Sequence, residues 1–135
     1  EADFHAPCNS DLAWVVANGR SNPIGLSLVY LLCGRRLGME VEGCGFPGRF
    51  LCRIAGDGKT WMVDAFDGGR RHDLNKLLDR PDLSDVARRA LQSPTPAGAI
   101  LVRVLRNLHR AFRETQRYDD ADLVTELLAS LNNRP

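Results

Sequence analysis

Long apolar runs are missing from this chain of 135 residues. None approaches the roughly 18 apolar residues that a membrane span requires, so no membrane helix is expected. Nor does the start carry a basic stretch followed by an apolar one, the pattern of a secretory signal. It opens at Glu1-Ala2-Asp3 without a methionine, which reads as a fragment or a processed form. Charge of one sign is also lacking: 18 Lys and Arg oppose 17 Asp and Glu, for a net charge of +1. Such a balance gives no bulk attraction to nucleic acid or to a membrane surface. Histidines number 3 and cysteines 4. No two cysteines form a C-x-x-C pair and none lies beside a histidine at zinc spacing, so no metal and no cofactor is expected. Cys8, Cys33, Cys44 and Cys52 read instead as buried free thiols of a reducing cytoplasm. Cys33 falls inside an apolar helix, and Cys52 alternates with Phe50 and Ile54 along a strand.

What is present is an ordinary globular composition, 44% hydrophobic and 26% charged. Asn9-Ser10-Asp11 offers a cap to a short helix through Leu12–Val16 that ends near Asn18-Gly19. Pro23 suits the first position of a second helix, since its missing N–H would be unpaired there anyway. That helix, from Pro23 to about Leu37, carries Leu26, Leu28, Val29, Tyr30, Leu31 and Leu32 around nearly its whole circumference, the pattern of a buried central helix. Three short strands are expected at about 40–45, 49–55 and 60–66, with Asp57-Gly58 as the hairpin turn between the last two. A short helix follows at 74–78, stopped by Pro81, and another near 86–92 capped by Ser84 or Asp82. Beyond Ser93-Pro94-Thr95-Pro96, the spacing of Leu101, Val104, Leu105, Leu108 and Phe112 predicts an amphipathic helix. Leu123, Val124, Leu127, Leu128 and Leu131 predict a second, with Tyr118-Asp119-Asp120 as the turn of an αα-hairpin.

The order Asn-Pro-Ile-x-Leu-Ser-Leu (from Asn22), Arg-Leu-Gly (from Arg36), Gly-Phe-Pro-Gly-x-Phe-Leu (from Gly45) and Asp-x-Phe-x-Gly-Gly (from Asp64) resembles the transglutaminase-like superfamily. More narrowly it resembles the bacterial SirB-type branch, in which a transglutaminase-like core precedes a tetratricopeptide-like helical tail. The resemblance implies an α+β, papain-like core, a central buried helix on a small antiparallel sheet, followed by a C-terminal helical hairpin. Residues 1–92 would form the core and 93–135 the hairpin, as one compact unit. It also implies where a Cys-His-Asp triad would lie. The cysteine position falls on Pro23, the histidine on Arg49 and the acid on Asp64. The branch commonly has Pro-Gly-His-Phe on its strand, and this chain has Pro47-Gly48-Arg49-Phe50. Proline cannot attack, and arginine, with a pKa above about 12, cannot act as a base. No catalytic residue is therefore expected.

Arg49 and Asp64 could instead pair across adjacent strands and offer a binding site for an anion or a partner carboxylate. Ser27, one turn inside the second helix, would line the same cleft. Asp67 reads as the acceptor of backbone N–H bonds in a tight turn. Arg103, Arg106, Arg110, Arg113 and Arg117 recur at steps of three and four and form a basic stripe. The stripe reads as a solvated face, with Arg106, Arg110 and Arg113 as candidate contacts for an acidic partner surface. Three functions fit these residues. The first is a catalytically degenerate domain that serves as a regulatory or protein-interaction module with an unidentified protein partner. The second is a cysteine hydrolase or acyltransferase rebuilt from Cys33, Cys44, Cys52 or Ser27 with His72. The third, disfavoured by the neutral charge, is a basic-helix binder of phosphate or nucleic acid.

Overall fold

The computed structural model describes residues 5–132. A 3-10 turn at Pro7–Ser10 leads into α1 (Leu12–Asn18) and α2 (Pro23–Arg36). Four strands follow: β1 (Val41–Cys44), β2 (Leu51–Gly56), β3 (Lys59–Asp64) and β4 (Arg70–Asp73). Then come α3 (Leu74–Leu78), α4 (Asp85–Gln92), α5 (Ala97–Glu114) and α6 (Tyr118–Asn132). The strands form one antiparallel sheet in the order β1-β2-β3-β4. This is the α+β architecture expected from the sequence, with the helical hairpin after the sheet.

The helices start where the capping chemistry puts them. The Asp11 carboxylate accepts from the N–H groups of Ala13 (3.0 Å) and Trp14 (3.2 Å), satisfying donors that the first turn leaves unpaired. Asn22 does the same for Gly25 at 2.9 Å, with Pro23 following at the first helical position. Asp73 caps α3, and Ser84, not Asp82, caps α4. The β2–β3 hairpin turns at Asp57-Gly58, as its sequence predicts, with Gly56 opposite Lys59.

Alternation along the strands divides the core between two faces. On one, Ile24 and Leu31 of α2 pack against Val41, Phe50, Cys52, Ile54 and Val63. On the other, Cys44, Leu51 and Met62 meet Leu91 of α4, flanked by Leu74, Leu77 and Leu78 of α3. The helix α5 joins the first cluster through Ile100 and Val104. It comes so close to β1 that a Cβ on Gly43 would lie 2.7 Å from the Ile100 side chain and 2.9 Å from Phe50. Any larger residue there would force Ile100 and the buried Phe50 ring to shift. Thr95 fastens the approach: its N–H donates to the Gly43 carbonyl at 2.7 Å and its hydroxyl accepts from the Gly45 N–H at 2.8 Å.

Several elements depart from expectation. The helix α2 is not buried all round. Its covered residues are Ile24, Gly25, Ser27, Leu31 and Gly34, while Leu32 and Cys33 are exposed, because the sheet covers one side only. Cys33 is thus not a buried thiol. The strand β4 was not expected, since Arg-Arg-His-Asp has no apolar alternation; backbone pairing with β3 defines it as an edge strand. The αα turn lies at 115–117, where Gln116 adopts a φ of 60°. Tyr118-Asp119-Asp120 instead opens α6, its acids beside the positive end of the helix dipole. In α5 the inward side is Ile100, Val104 and Ala111, and Leu101 is 46% exposed. In α6 Ala121 and Val124 are buried, while Leu123 and Leu127 are exposed. The buried positions of this hairpin are small residues, Ala111, Ala121 and Val124. Among the described residues no helix is long and apolar enough to cross a membrane.

Truncating the fully buried Phe50 to Ala should lower unfolding free energy by about 3–5 kcal/mol. Leu101→Ala, at an exposed position, should cost within about 0.5 kcal/mol. Chemical denaturation of the two variants checks the contrast.

Candidate functional site

Two turns and one helix end converge at a cleft of about 360 Å³ lined by Pro23, Gly48, Arg49, Asp64, Phe66 and Asp67. Pro23 arrives on the first turn of α2. Arg49 is presented by the turn Phe46-Pro47-Gly48-Arg49, closed by the Arg49 N–H donating to the Phe46 carbonyl at 3.1 Å. Proline at the second position and glycine at the third, with a φ of 71°, make this a type II turn, which requires that glycine. Arg49 therefore stands just ahead of β2 rather than on the strand itself. Asp64 is the last residue of β3.

The Arg49 Nη1 lies 2.7 Å from the Asp64 Oδ2. The two partners are unequal: the Asp64 side chain is 3% exposed and that of Arg49 is 58%. The other oxygen of Asp64 accepts from the N–H groups of Phe66 and Asp67, both at 3.1 Å. The buried carboxylate is thus matched by three donors, one of them charged, as a buried anion requires. It is Asp64, not Asp67, that organises the turn; the Asp67 carboxylate pairs with Arg70 at 3.1 Å. Arg49 retains further N–H donors on a guanidinium that remains largely exposed beside the cleft.

No cysteine or histidine lines this cleft. Ser27 does not line it either. It is fully buried, and its hydroxyl donates to the Phe50 carbonyl at 3.0 Å, joining α2 to the start of β2. Cys52 lies behind it, its thiol 3.5 Å from the Ser27 carbonyl. Burial pushes the Cys52 thiol up to about 12 and the Cys44 thiol up to about 11. Both stay protonated in the fold, whereas an unfolded thiol ionises near pH 9. Their contribution to stability is therefore full below pH 9 and lost as pH rises through their folded values. Neither supplies a thiolate at neutral pH. His72 sits on β4 opposite Met62, in a different cleft. Among the described residues no group of three or more His, Cys, Asp or Glu is placed to hold a metal ion.

The arginine stripe does not behave as one surface. Arg103 turns to the core: it donates to the Arg49 carbonyl at 3.1 Å and lies over the Phe50 ring, 5.5 Å from its centre. It braces the turn that carries Arg49, a role that its place in a run of similar arginines did not distinguish. Arg110 pairs with Glu114, Arg113 lies over Tyr118, and Arg117 pairs with Asp120. Arg106 is exposed and makes no ion pair among the described residues. None of Arg106, Arg110 and Arg113 reaches the cleft.

The sequence profile of the transglutaminase-like superfamily matches residues 1–106. A UPF0162 protein of Xylella fastidiosa strain Temecula1 is 36% identical over 141 residues, covering 98% of this chain and 50% of the relative. Its counterpart in strain 9a5c matches equally. A UPF0162 protein of Pseudomonas aeruginosa is 32% identical over 108 residues, covering 77% of this chain and 39% of the relative. The chain thus spans about half the length of the Xylella relatives. No solved structure gives a significant match.

An aromatic disulfide reagent at pH 8 should label Cys33 in the native protein and leave Cys44 and Cys52 unmodified until denaturant is added. Peptide mapping reads this out; rapid native labelling of Cys52 would contradict the burial argument.

Proposed function

The chain belongs to the transglutaminase-like superfamily, and we propose that it acts there as a catalytically degenerate regulatory or protein-interaction module. The observation that carries this reading is the Arg49–Asp64 pair at 2.7 Å beside Pro23. The geometry suits an acid and its partner at a helix start, but a guanidinium occupies the base position and a saturated proline ring the nucleophile position. Acid–base and nucleophilic catalysis each need a group that can exchange a proton or an electron pair, and neither residue can. What such a cleft does offer is an exposed guanidinium fork, held in place by a buried acid. That fork suits a carboxylate on a partner protein.

We further assign the chain to the SirB-type branch of bacterial proteins, with residues 1–92 as core and 93–135 as the start of a tetratricopeptide-like tail. The support is the short-turned pair α5 and α6 after the core, and relatives from two bacterial genera. A reducing cytoplasm suits four unpaired cysteines.

The intact protein should show no amide hydrolysis or acyl transfer that depends on a thiol. Cys33→Ser should change nothing in a panel of amide and ester substrates, whereas Arg49→Gln, which keeps an N–H donor for the buried Asp64 but removes the charged fork, should abolish partner binding with the fold retained. A cysteine-dependent turnover that survives purification would overturn the reading.

A further inference from the structure

At the end of the β3–β4 pair opposite Asp64 lies a second cleft, of about 400 Å³, that the reading above does not use. Lys59, Trp61, Arg71, His72, Asp73, Lys76, Leu77 and Arg80 line it. Four of these are cations and one is a carboxylate, in a chain whose net charge is only +1. Gathering like charges in a concavity raises the local potential and favours a counter-anion.

The local acids neutralise only half of this set. Asp73 is engaged by Lys59 at 3.0 Å and by the N–H groups of Asn75 and Lys76, which it caps. Arg80 is held by Asp82 through bonds of 3.0 and 2.5 Å. Arg71 and Lys76 make no ion pair among the described residues. The register places Arg71, Trp61 and Asp73 on one side of the sheet, since Trp61 faces Asp73 and Val63 faces Arg71. The Arg71 guanidinium lies over the Trp61 ring at 5.4 Å from its centre, and the Lys59 ammonium lies 5.8 Å from the same ring. The indole holds both cations in position. A guanidinium fixed in this way is also a surface on which a flat ring can stack.

Charged residues on an edge strand discourage pairing with other chains, which accounts for Arg71 alone. It does not account for Lys76 on α3 and Arg80 just past it, which reach the same cleft. We propose that this cleft binds a nucleotide-sized phosphate ester, with its phosphates on Arg71 and Lys76 and its base against the Arg71–Trp61 pair. A free nucleotide is favoured over a nucleic-acid strand because a strand needs a continuous basic track with stacking platforms. Here Lys59, Arg71, Lys76 and Arg80 gather in one cleft, and the run of arginines on α5 is interrupted where Arg110 and Arg117 are taken up by Glu114 and Asp120.

The test uses the Trp14→Phe variant of this chain, in which Trp61 is then the sole tryptophan reporter. Adenosine diphosphate is titrated against it, with adenosine and a single-stranded oligonucleotide as parallel arms. Indole N–H shifts of Trp61 in the unaltered chain give the same readout if that variant fails to fold. The expected result is a saturable change with the diphosphate, at least about tenfold weaker with adenosine. It should weaken by about tenfold or more in Arg71→Gln/Lys76→Gln, since charged hydrogen bonds are being lost. The double variant should keep the wild-type circular dichroism and unfolding midpoint. No saturable change, an unaltered affinity in the folded double variant, or far tighter binding of the oligonucleotide would overturn the proposal.

Discussion

A carboxylate taken out of water must be matched by donors, and that requirement at Asp64 organises one end of the molecule. Its two oxygens reach Arg49 and the N–H groups of Phe66 and Asp67. One buried side chain therefore fixes the turn leaving β3 and the turn entering β2. Arg103 extends the connection, since its guanidinium donates to the Arg49 carbonyl and so links α5 to the same corner. The cleft keeps its shape because these turns cannot move independently. An acid in this position is useful to a hydrolase for orienting an imidazole. Here it orients a guanidinium, which holds a permanent charge and has no proton to exchange near neutrality.

The interior behind the cleft offers it no thiolate at neutral pH. Cys44 and Cys52 lie on opposite faces of the sheet, each packed among apolar side chains. Their ionisation is opposed by the burial that makes them useful to the core. Ser27 is likewise spent on structure, bridging α2 to the Phe50 carbonyl. Phe50 joins the two regions, being a fully buried ring and the residue directly after Arg49.

Much of this was legible in the sequence where local chemistry decides the outcome. Asp11, Asn22-Pro23 and Asp57-Gly58 each act through a cap or turn involving their immediate neighbours, and each lies where expected. Pro23, Arg49 and Asp64, which motif order brings together, do line one cleft. The pairing of Arg49 with Asp64 also followed, although Arg49 reaches it from a turn instead of a strand. Less legible were features set by distant partners. Arg-Arg-His-Asp forms β4 only because β3 presents an unpaired edge. Ser27 looks like a cleft residue until Phe50 arrives from 23 positions away to accept its hydroxyl. The five arginines of α5 share one spacing, and only the docking of that helix on β1 turns Arg103 to the core. The cleft around Trp61 draws on β3, β4 and α3, so no single stretch of sequence announces it.

Arg49 and Asp64 act as one unit, and a double-mutant cycle measures that most directly. Unfolding free energies of the wild type, Arg49→Ala, Asp64→Ala and the double variant give the coupling between them. Exposed ion pairs couple by about 0.2–1 kcal/mol and fully buried ones by more. With Asp64 buried and Arg49 partly in solvent, the account predicts a coupling of about 1–2 kcal/mol. Strict additivity, with a coupling under about 0.3 kcal/mol, would contradict it.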